Sequence, residues 1–189
     1  SQEEVENSPK QELGSAYSVG DIKYKDLNGD NKIDLNDVTT IGNPTIPEII
    51  YGFGVNVTYK KWDFACFFQG AAKVSLLMKN IQPFVDATSD GYGIAQYIVD
   101  NHWSESNNRA DAAYPRLSST YLNNDSQAST YYLRDASYLR LKTAEVGYTF
   151  NKWLRAYVSG TNLLTFSPFK HWDPEMGSGN GLKNPLQRT

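Results

Sequence analysis

Two stretches of this chain alternate apolar and polar side chains with a period of two, which leaves little freedom over what they form. Tyr51, Phe53, Val55, Val57 and Tyr59 fall on one face of an extended segment, and Gly52, Gly54, Asn56 and Thr58 fall on the other. After Lys60-Lys61 the pattern resumes, with Trp62, Phe64, Cys66 and Phe68 against Asp63, Ala65, Phe67 and Gln69. Successive strand side chains point to opposite faces, so two such runs separated by two polar residues predict a tight antiparallel hairpin. A second pair follows: Ala144, Val146, Tyr148 and Phe150 alternate with Thr143, Glu145, Gly147 and Thr149. Asn151-Lys152 makes the turn, and Leu154, Ala156 and Val158 return against Arg155, Tyr157 and Ser159. Upstream, Leu139 and Leu141 lie in the opposite phase, which a β-bulge near Lys142–Thr143 reconciles.

The connections are lopsided. Both hairpins have short turns at one end, while long polar segments lie at the other. The chain divides into a loop over 1–48, a hairpin over 49–70, a long loop over 71–133, a hairpin over 134–164 and a loop over 165–189. A short helix is expected near 94–103, where Ile98 and Val99 sit together. The fold class is all-β and antiparallel. Short turns on one side and long loops on the other are the pattern of an outer-membrane barrel, with the long loops extracellular. A soluble antiparallel sheet with elaborate loops fits the same pattern. Four strands cannot close a barrel with a lumen, so either reading needs more strands.

Composition narrows the field. Tyr, Phe and Trp number 13, 8 and 4, with 14 Gly, an enrichment that suits β-structure and membrane–water boundaries. No stretch approaches the roughly 18 consecutive apolar residues of a membrane helix, which leaves a barrel open because barrel strands average out as polar. The net charge of -3 comes without a basic run, so nucleic acid is not an expected partner. Cys66 is the only cysteine, which excludes disulfide frameworks and Cys-based zinc sites. Ser1–Ser18 is polar and acidic and reads as no signal peptide; in an exported protein the start would lie upstream.

The sharpest chemical motif is Asp26-Leu-Asn-Gly-Asp-Asn-Lys-Ile-Asp-Leu-Asn-Asp37. Read as a twelve-residue calcium loop, it sets Asp26, Asn28 and Asp30 at positions 1, 3 and 5. The Lys32 carbonyl stands at 7, Asp34 acts through water at 9, and Asp37 closes the loop at 12. Calcium is a hard cation that takes about six to eight oxygens, and alternate positions on a tight turn deliver them. Ile33 supplies the apolar anchor. Asn31 stands where glycine is usual, and Asn tolerates the left-handed conformation. Asp37 is shorter than the usual Glu, which bears on bidentate ligation. A solvated turn rich in Asp and Asn is the alternative. His102 and His171, the carboxylate pairs Asp86/Asp90 and Asp173/Glu175, and the Gly177–Gly181 run lack the spacing or context of zinc, glycosidase or phosphate sites. No nucleophile set stands out, so no enzyme is expected.

An ordered series of blocks resembles one family. Gly20-Asp-Ile-Lys-Tyr-Lys-Asp-Leu-Asn-Gly-Asp30, Ile41-Gly-Asn-Pro44, Tyr51-Gly-Phe-Gly54 and Phe67-Phe-Gln-Gly70 come first. His102-Trp103, Tyr114-Pro-Arg-Leu117, Asp135-Ala-Ser-Tyr-Leu-Arg-Leu-Lys142, Gly147-Tyr-Thr-Phe150, Val158-Ser-Gly-Thr-Asn-Leu163 and Trp172-Asp-Pro-Glu175 follow. In this order they resemble the SusC/RagA-type TonB-dependent transporters of Bacteroidetes. The resemblance implies late strands of a barrel of about 22, with an N-terminal plug upstream and one final strand beyond Thr189. It also implies import of glycans or peptides across the outer membrane, energised by the TonB complex, with a SusD-like surface lipoprotein as lid. Tyr51, Tyr59, Trp62 and Phe150 would then be interface aromatics, and Val55, Val57, Phe64, Val146 and Val158 would face lipid. Asn56, Thr58, Asp63, Gln69, Glu145 and Arg155 would face the lumen. The competing assignments are a secreted calcium-dependent binding module, dockerin-like or carbohydrate-binding, and a secreted carbohydrate-active enzyme.

Overall fold

A computed structural model describes residues 1–78, 94, 96–109, 111–118, 122–171 and 173–177. They fall into two compact units: Ser1–Ile41 with Lys79–Ser129, and Gly42–Met78 with Thr130–Thr189. No described helix is long and apolar enough to cross a membrane.

The second unit is built on four long antiparallel strands, β3 (Ile49–Tyr59), β4 (Trp62–Ala72), β7 (Tyr138–Asn151) and β8 (Leu154–Phe166), in the order β3-β4-β7-β8. β3 and β4 pair without interruption from Ile49↔Ala72 to Tyr59↔Trp62. Their turn is Lys60-Lys61, and Lys60 takes a φ of 57°, as the primed hairpin turns that match strand twist require. Lys142 is the extra residue of the expected bulge: Phe67 faces Thr143 while Phe68 faces Leu141. Across β8 the ladder breaks at the same level, where Asn162 adopts a φ of 52°. The second turn is displaced by one residue from the expected place. Asn151 pairs with Leu154, so Lys152-Trp153 turns the chain, and the Asn151 side chain accepts from the Trp153 amide at 2.9 Å. Asparagine here closes the turn from its edge instead of occupying it.

The long middle segment carries structure that alternation did not reveal. β5 (Ser75–Leu77) pairs with β6 (Leu133–Asp135), and Leu76 of β5 is fully buried. Three residues are too few to display a period, so such strands are invisible to pattern alone. The Gly42–Pro44 block is stapled to this pair, with the Asn43 amide on Ser75 Oγ and the Ser75 amide on the Pro44 carbonyl, each at 3.0 Å.

The first unit is polar and held largely by side chains. α1 (Gln2–Glu6) is capped by Ser1, and β1 (Lys10–Gln11) runs parallel to β2 (Lys32–Ile33). The expected helix is α2 (Gln96–Asn101); Ile98 is buried and Val99 is exposed, while residue 95 lies outside the described residues. Blocks far apart in sequence converge here. The Trp103 ring lies over Gly20, whose φ of +92° and lack of a Cβ permit that contact, and the Arg116 amide donates to the Gly20 carbonyl at 2.9 Å. Arg116 also pairs with Asp21 through two nitrogens at 2.5 and 3.2 Å.

Buried Asn124 and Asp125 pin the N-terminal segment. The Ile22 amide donates to Asp125 Oδ1 at 2.8 Å, Asn124 Nδ2 donates to the Ile22 carbonyl at 3.1 Å, and Tyr24 Oη donates to the Asn124 carbonyl at 2.7 Å. Removal from water pushes the Asp125 carboxyl up to about 6; the Ile22 amide opposes the rise and the neighbouring Asp21 carboxylate adds to it. Folding therefore favours protonated Asp125, and this contribution is complete below the ordinary carboxylate range and lost as pH rises through about 6. Limited proteolysis between Leu13 and Tyr24, normalised to a denatured control, should be slower at pH 5 than at pH 7.5. Asp125→Asn should flatten that difference; an unchanged pH dependence in the variant would contradict the assignment.

Candidate functional site

The bulge and the two hairpin turns bring the apolar positions of all four long strands onto one face. They form five cross-strand rows. Tyr59–Trp62–Tyr148–Ala156 lies nearest the turns, followed by Val57–Phe64–Val146–Val158 and Val55–Cys66–Ala144–Gly160. Phe53–Phe68–Leu141–Leu164 and Tyr51–Gly70–Leu139–Phe166 complete the face toward the long loops. No charged side chain interrupts it. Its members are unusually bare for apolar residues: Phe53, Val57, Trp62 and Phe166 are each 50–56% exposed, and Val158 is 79% exposed.

Aromatic rings collect at both ends of this face. Trp62 and Tyr148 meet edge-on with centroids 4.8 Å apart, and Tyr148 meets Phe150 at the same distance. At the other end Phe53 stacks on Phe68 at 5.1 Å, and Tyr51 reaches over Gly70 to donate to the Tyr138 carbonyl at 3.0 Å. Tyr51 and Tyr59 are eight residues apart in one strand, or about 27 Å at ~3.4 Å per residue. Tilted by about 40°, that length covers about 20 Å of barrel height, close to the ~25 Å apolar band between aromatic girdles.

The opposite face carries the charge. Rows such as Thr58–Asp63–Gly147–Tyr157 and Asn56–Ala65–Glu145–Ser159 line it. Arg155 reaches over β7 to Asp63 on β4, with Nε 3.2 Å from Oδ1, and also holds Glu145 at 2.6 Å. Gly147 makes this possible, because a Cβ there would stand among the Asp63 carboxylate and the Arg155 guanidinium. Phe67, the one large hydrocarbon ring on this face, lies against Gly52 and Gly54. Toward the long loops, the Pro174–Gly177 turn folds onto the same face. Asp173 and Glu175 grip buried Arg140, Glu175 also holds Lys142 at 3.0 Å, and Tyr138 Oη donates to Glu175 at 3.2 Å. This clamp joins two sequence blocks, Asp135–Lys142 and Asp173–Glu175, whose relation was not legible from either alone.

The calcium-type loop is formed, and backbone donors fill much of it. Asp26 accepts from the amides of Gly29 at 2.6 Å and Asn31 at 2.9 Å, Asn28 from Asp30 at 3.0 Å, and Asp30 from Lys32 at 2.9 Å. Gly29 and Asn31 supply the left-handed turns, at φ 79° and 64°. Ile33 is buried and anchors the loop through β2. Asp37 accepts from the amides of Leu27, Asp34 and Asn28, and these bonds lower its pKa, the Asp34 amide foremost. Asp34 caps the following 3₁₀ turn, accepting from Asn36 at 2.6 Å. The oxygens of Asp26, Asn28 and Asp30 and the Lys32 carbonyl suit a hard cation in kind. Among the described residues, no three His, Cys, Asp or Glu side chains converge closely enough to hold a metal ion.

A sheet with one bare apolar face, one charged face, tight turns at one end and long loops at the other defines a class of structure: a segment of barrel wall. Comparisons with known proteins agree. No family model matches the chain. The TonB-dependent receptor P26 of Formosa agariphila is 32% identical across 99% of this chain and 19% of its own length. The TonB-dependent receptor SusC of Bacteroides thetaiotaomicron is 27% identical over 88% of this chain and 16% of its own. Among solved structures, the RagAB peptide importer in its open-open state superposes with a TM-score of 0.53 at 25% identity, over 79% of this chain and 17% of that one. The chain thus spans about a fifth of the length of the relatives it matches. Over that span it is of the SusC/RagA type of TonB-dependent receptor, all-β and part of a large barrel. These relatives are receptors and importers, not enzymes.

Proposed function

We propose that the chain forms part of the wall and outer loops of an outer-membrane importer. It takes in glycans or peptides, is energised through the TonB complex, and works with a SusD-like surface lipoprotein as lid. The observation that carries this reading is the uncharged apolar face, close in height to a barrel's apolar band between its aromatic ends, backed by a charged face on the same four strands. Hydrocarbon has no hydrogen-bond partners to offer, so a spanning sheet must show lipid an apolar surface and keep its charges on the lumen side. Sequence relatives named TonB-dependent receptors and a structural neighbour named a peptide importer support the same reading. The long segments on the loop side would be extracellular.

Neighbouring residues on opposite faces give the test. In the full-length receptor, Val55→Arg sets a cation at the middle of the lipid face, at a cost of about 2–4 kcal/mol. A marked loss of folded receptor from the outer membrane is expected. Asn56→Arg, one residue on, faces the lumen and should leave the level nearly unchanged. Equal effects of the two would remove the assignment of faces.

The 26–37 loop would hold calcium structurally through Asp26, Asn28, Asp30 and the Lys32 carbonyl, with Asp34 acting through water. Asp37, engaged with three backbone amides, would mainly close the loop. Isothermal titration should give a Kd of about 10⁻⁴–10⁻³ M. Binding should vanish in Asp26→Ala and Asp30→Ala; heats unchanged from wild type would reject the site.

A further inference from the structure

The two hairpin turns stand side by side at one end of the sheet and are tied to each other through Lys61. Its carbonyl accepts from the Thr149 amide at 2.8 Å, and its Nζ donates to the Phe150 carbonyl at 3.3 Å. Lys60 is the other residue of the first turn, and its ammonium lies 5.2 Å from the centre of the Tyr59 ring. Lys152 opens the second turn and Trp153 completes it, 94% exposed, more than any other large apolar side chain described. All three lysines are exposed.

Charge at this end is one-sided. The sequence from Thr58 to Trp62 and from Thr149 to Leu154 holds no Asp or Glu. The next carboxylates along the strands, Asp63 and Glu145, both pair with Arg155 on the charged face. Lys60, Lys61, Lys152 and Arg155 against Asp63 and Glu145 leave two positive charges in excess.

The turns are also stepped. Trp62 pairs with Tyr148, and β7 then runs three residues further, to Asn151, before it turns. At ~3.4 Å per residue and a tilt of about 40°, the second turn stands about 8 Å beyond the first along the membrane normal. A bilayer of ~40–45 Å with a hydrocarbon core of ~30 Å leaves about 5–8 Å of headgroup in each leaflet. Lys60 and Lys61 therefore stand at the hydrocarbon edge of that layer, beside the Tyr59–Trp62–Tyr148 row, and Lys152 and Trp153 stand at its watery edge.

We infer that the turn end is a binding surface for the phosphates of anionic glycerophospholipids in the leaflet that the turns meet. The inference rests on the reading of the sheet as barrel wall, and it adds a lipid class to that reading. An ammonium on a flexible stem is a point charge that pairs with phosphate without a fixed plane, and two depths of ammonium serve a headgroup through its whole thickness. Trp153 anchors at the same level, where an indole keeps its ring among apolar groups and its N–H in a wet layer. Charge sets the selectivity: a phosphatidylglycerol headgroup keeps its negative charge, whereas the choline of phosphatidylcholine cancels it.

The full-length receptor, in micelles holding equal amounts of phosphatidylglycerol and phosphatidylcholine, is examined by native mass spectrometry. Retention of phosphatidylglycerol over phosphatidylcholine by about five-fold or more is expected, since one lysine at an anionic surface contributes about that factor. The variant Lys60→Asn, Lys61→Gln, Lys152→Gln should bring the ratio to about one; Asn is used at position 60 because it tolerates the positive φ there. Lys152→Glu alone should lower the ratio and serves if the triple variant fails to fold. Lys25→Gln with Lys32→Gln, which removes two exposed lysines of the first unit, should leave it unchanged. No preference in the wild type, an undiminished one in the folded turn variants, or an equal loss in the Lys25 and Lys32 variant would overturn the inference. Heat-modifiable migration of the same preparation separates that outcome from failure of the barrel reading, since a folded barrel without lipid preference sinks the turn surface alone.

Discussion

The ladder of backbone hydrogen bonds through β3, β4, β7 and β8 is the constraint on which the rest depends. Within hydrocarbon an unpaired N–H or C=O has no solvent to turn to, so each strand must be continuous and its neighbours in register across the whole apolar span. The eleven residues of β3 pair one for one with the eleven of β4. Where β7 is one residue out of phase, the chain absorbs the error locally, with Lys142 bulged and Asn162 turned left-handed opposite it. A one-residue slip without the bulge would put Leu139 and Leu141 on the charged side and Arg140 among hydrocarbon. The bulge therefore lets a single strand carry apolar residues on one face both at the membrane level and at the loop end.

Side-chain polarity then builds on that ladder in different ways along its length. Near the turns the charged face is stitched across strands by Arg155, which serves Asp63 and Glu145 together in the space Gly147 leaves free. Near the loops the stitching is between strand and loop, where Arg140 and Lys142 receive the Asp173–Glu175 turn. The first unit has its own charged stitch, Arg116 on Asp21, but relies mainly on a different device. It is a short-element, polar assembly whose order comes from Asn124, Asp125 and Gln11 bonding to backbone groups of the 22–24 segment. Such units suit long surface loops, which must hold a shape without a large apolar core.

The four long strands were legible in the sequence because alternation over ten residues has one physical reading, and the bulge was legible because it is where that alternation changes phase. The faces followed from the same pattern. The turn after Asn151 was misplaced by one residue because Asn fits a turn's interior and its edge equally well, and only pairing distinguishes them. β5, β6, β1 and β2 were not legible, since two or three residues cannot show a period. The clamp of Arg140 by Asp173 and Glu175 was hidden for another reason: charged pairs some 33 residues apart leave no mark on local pattern. The acidic spacing of 26–37 did predict a looped turn with Asn31 left-handed. It did not predict that Asp37 would spend its oxygens on three backbone amides.

On the proposed reading, odd-numbered positions of β3 meet lipid and even-numbered ones meet water. Single cysteines placed along Ile49–Tyr59 in the full-length receptor, with Cys66 replaced, can carry an environment-sensitive fluorophore in bilayers containing brominated lipid. Quenching is expected to alternate with a period of two, strong at positions 53, 55 and 57 and weak at 52, 54, 56 and 58. Uniform quenching, or none at any position, would contradict it.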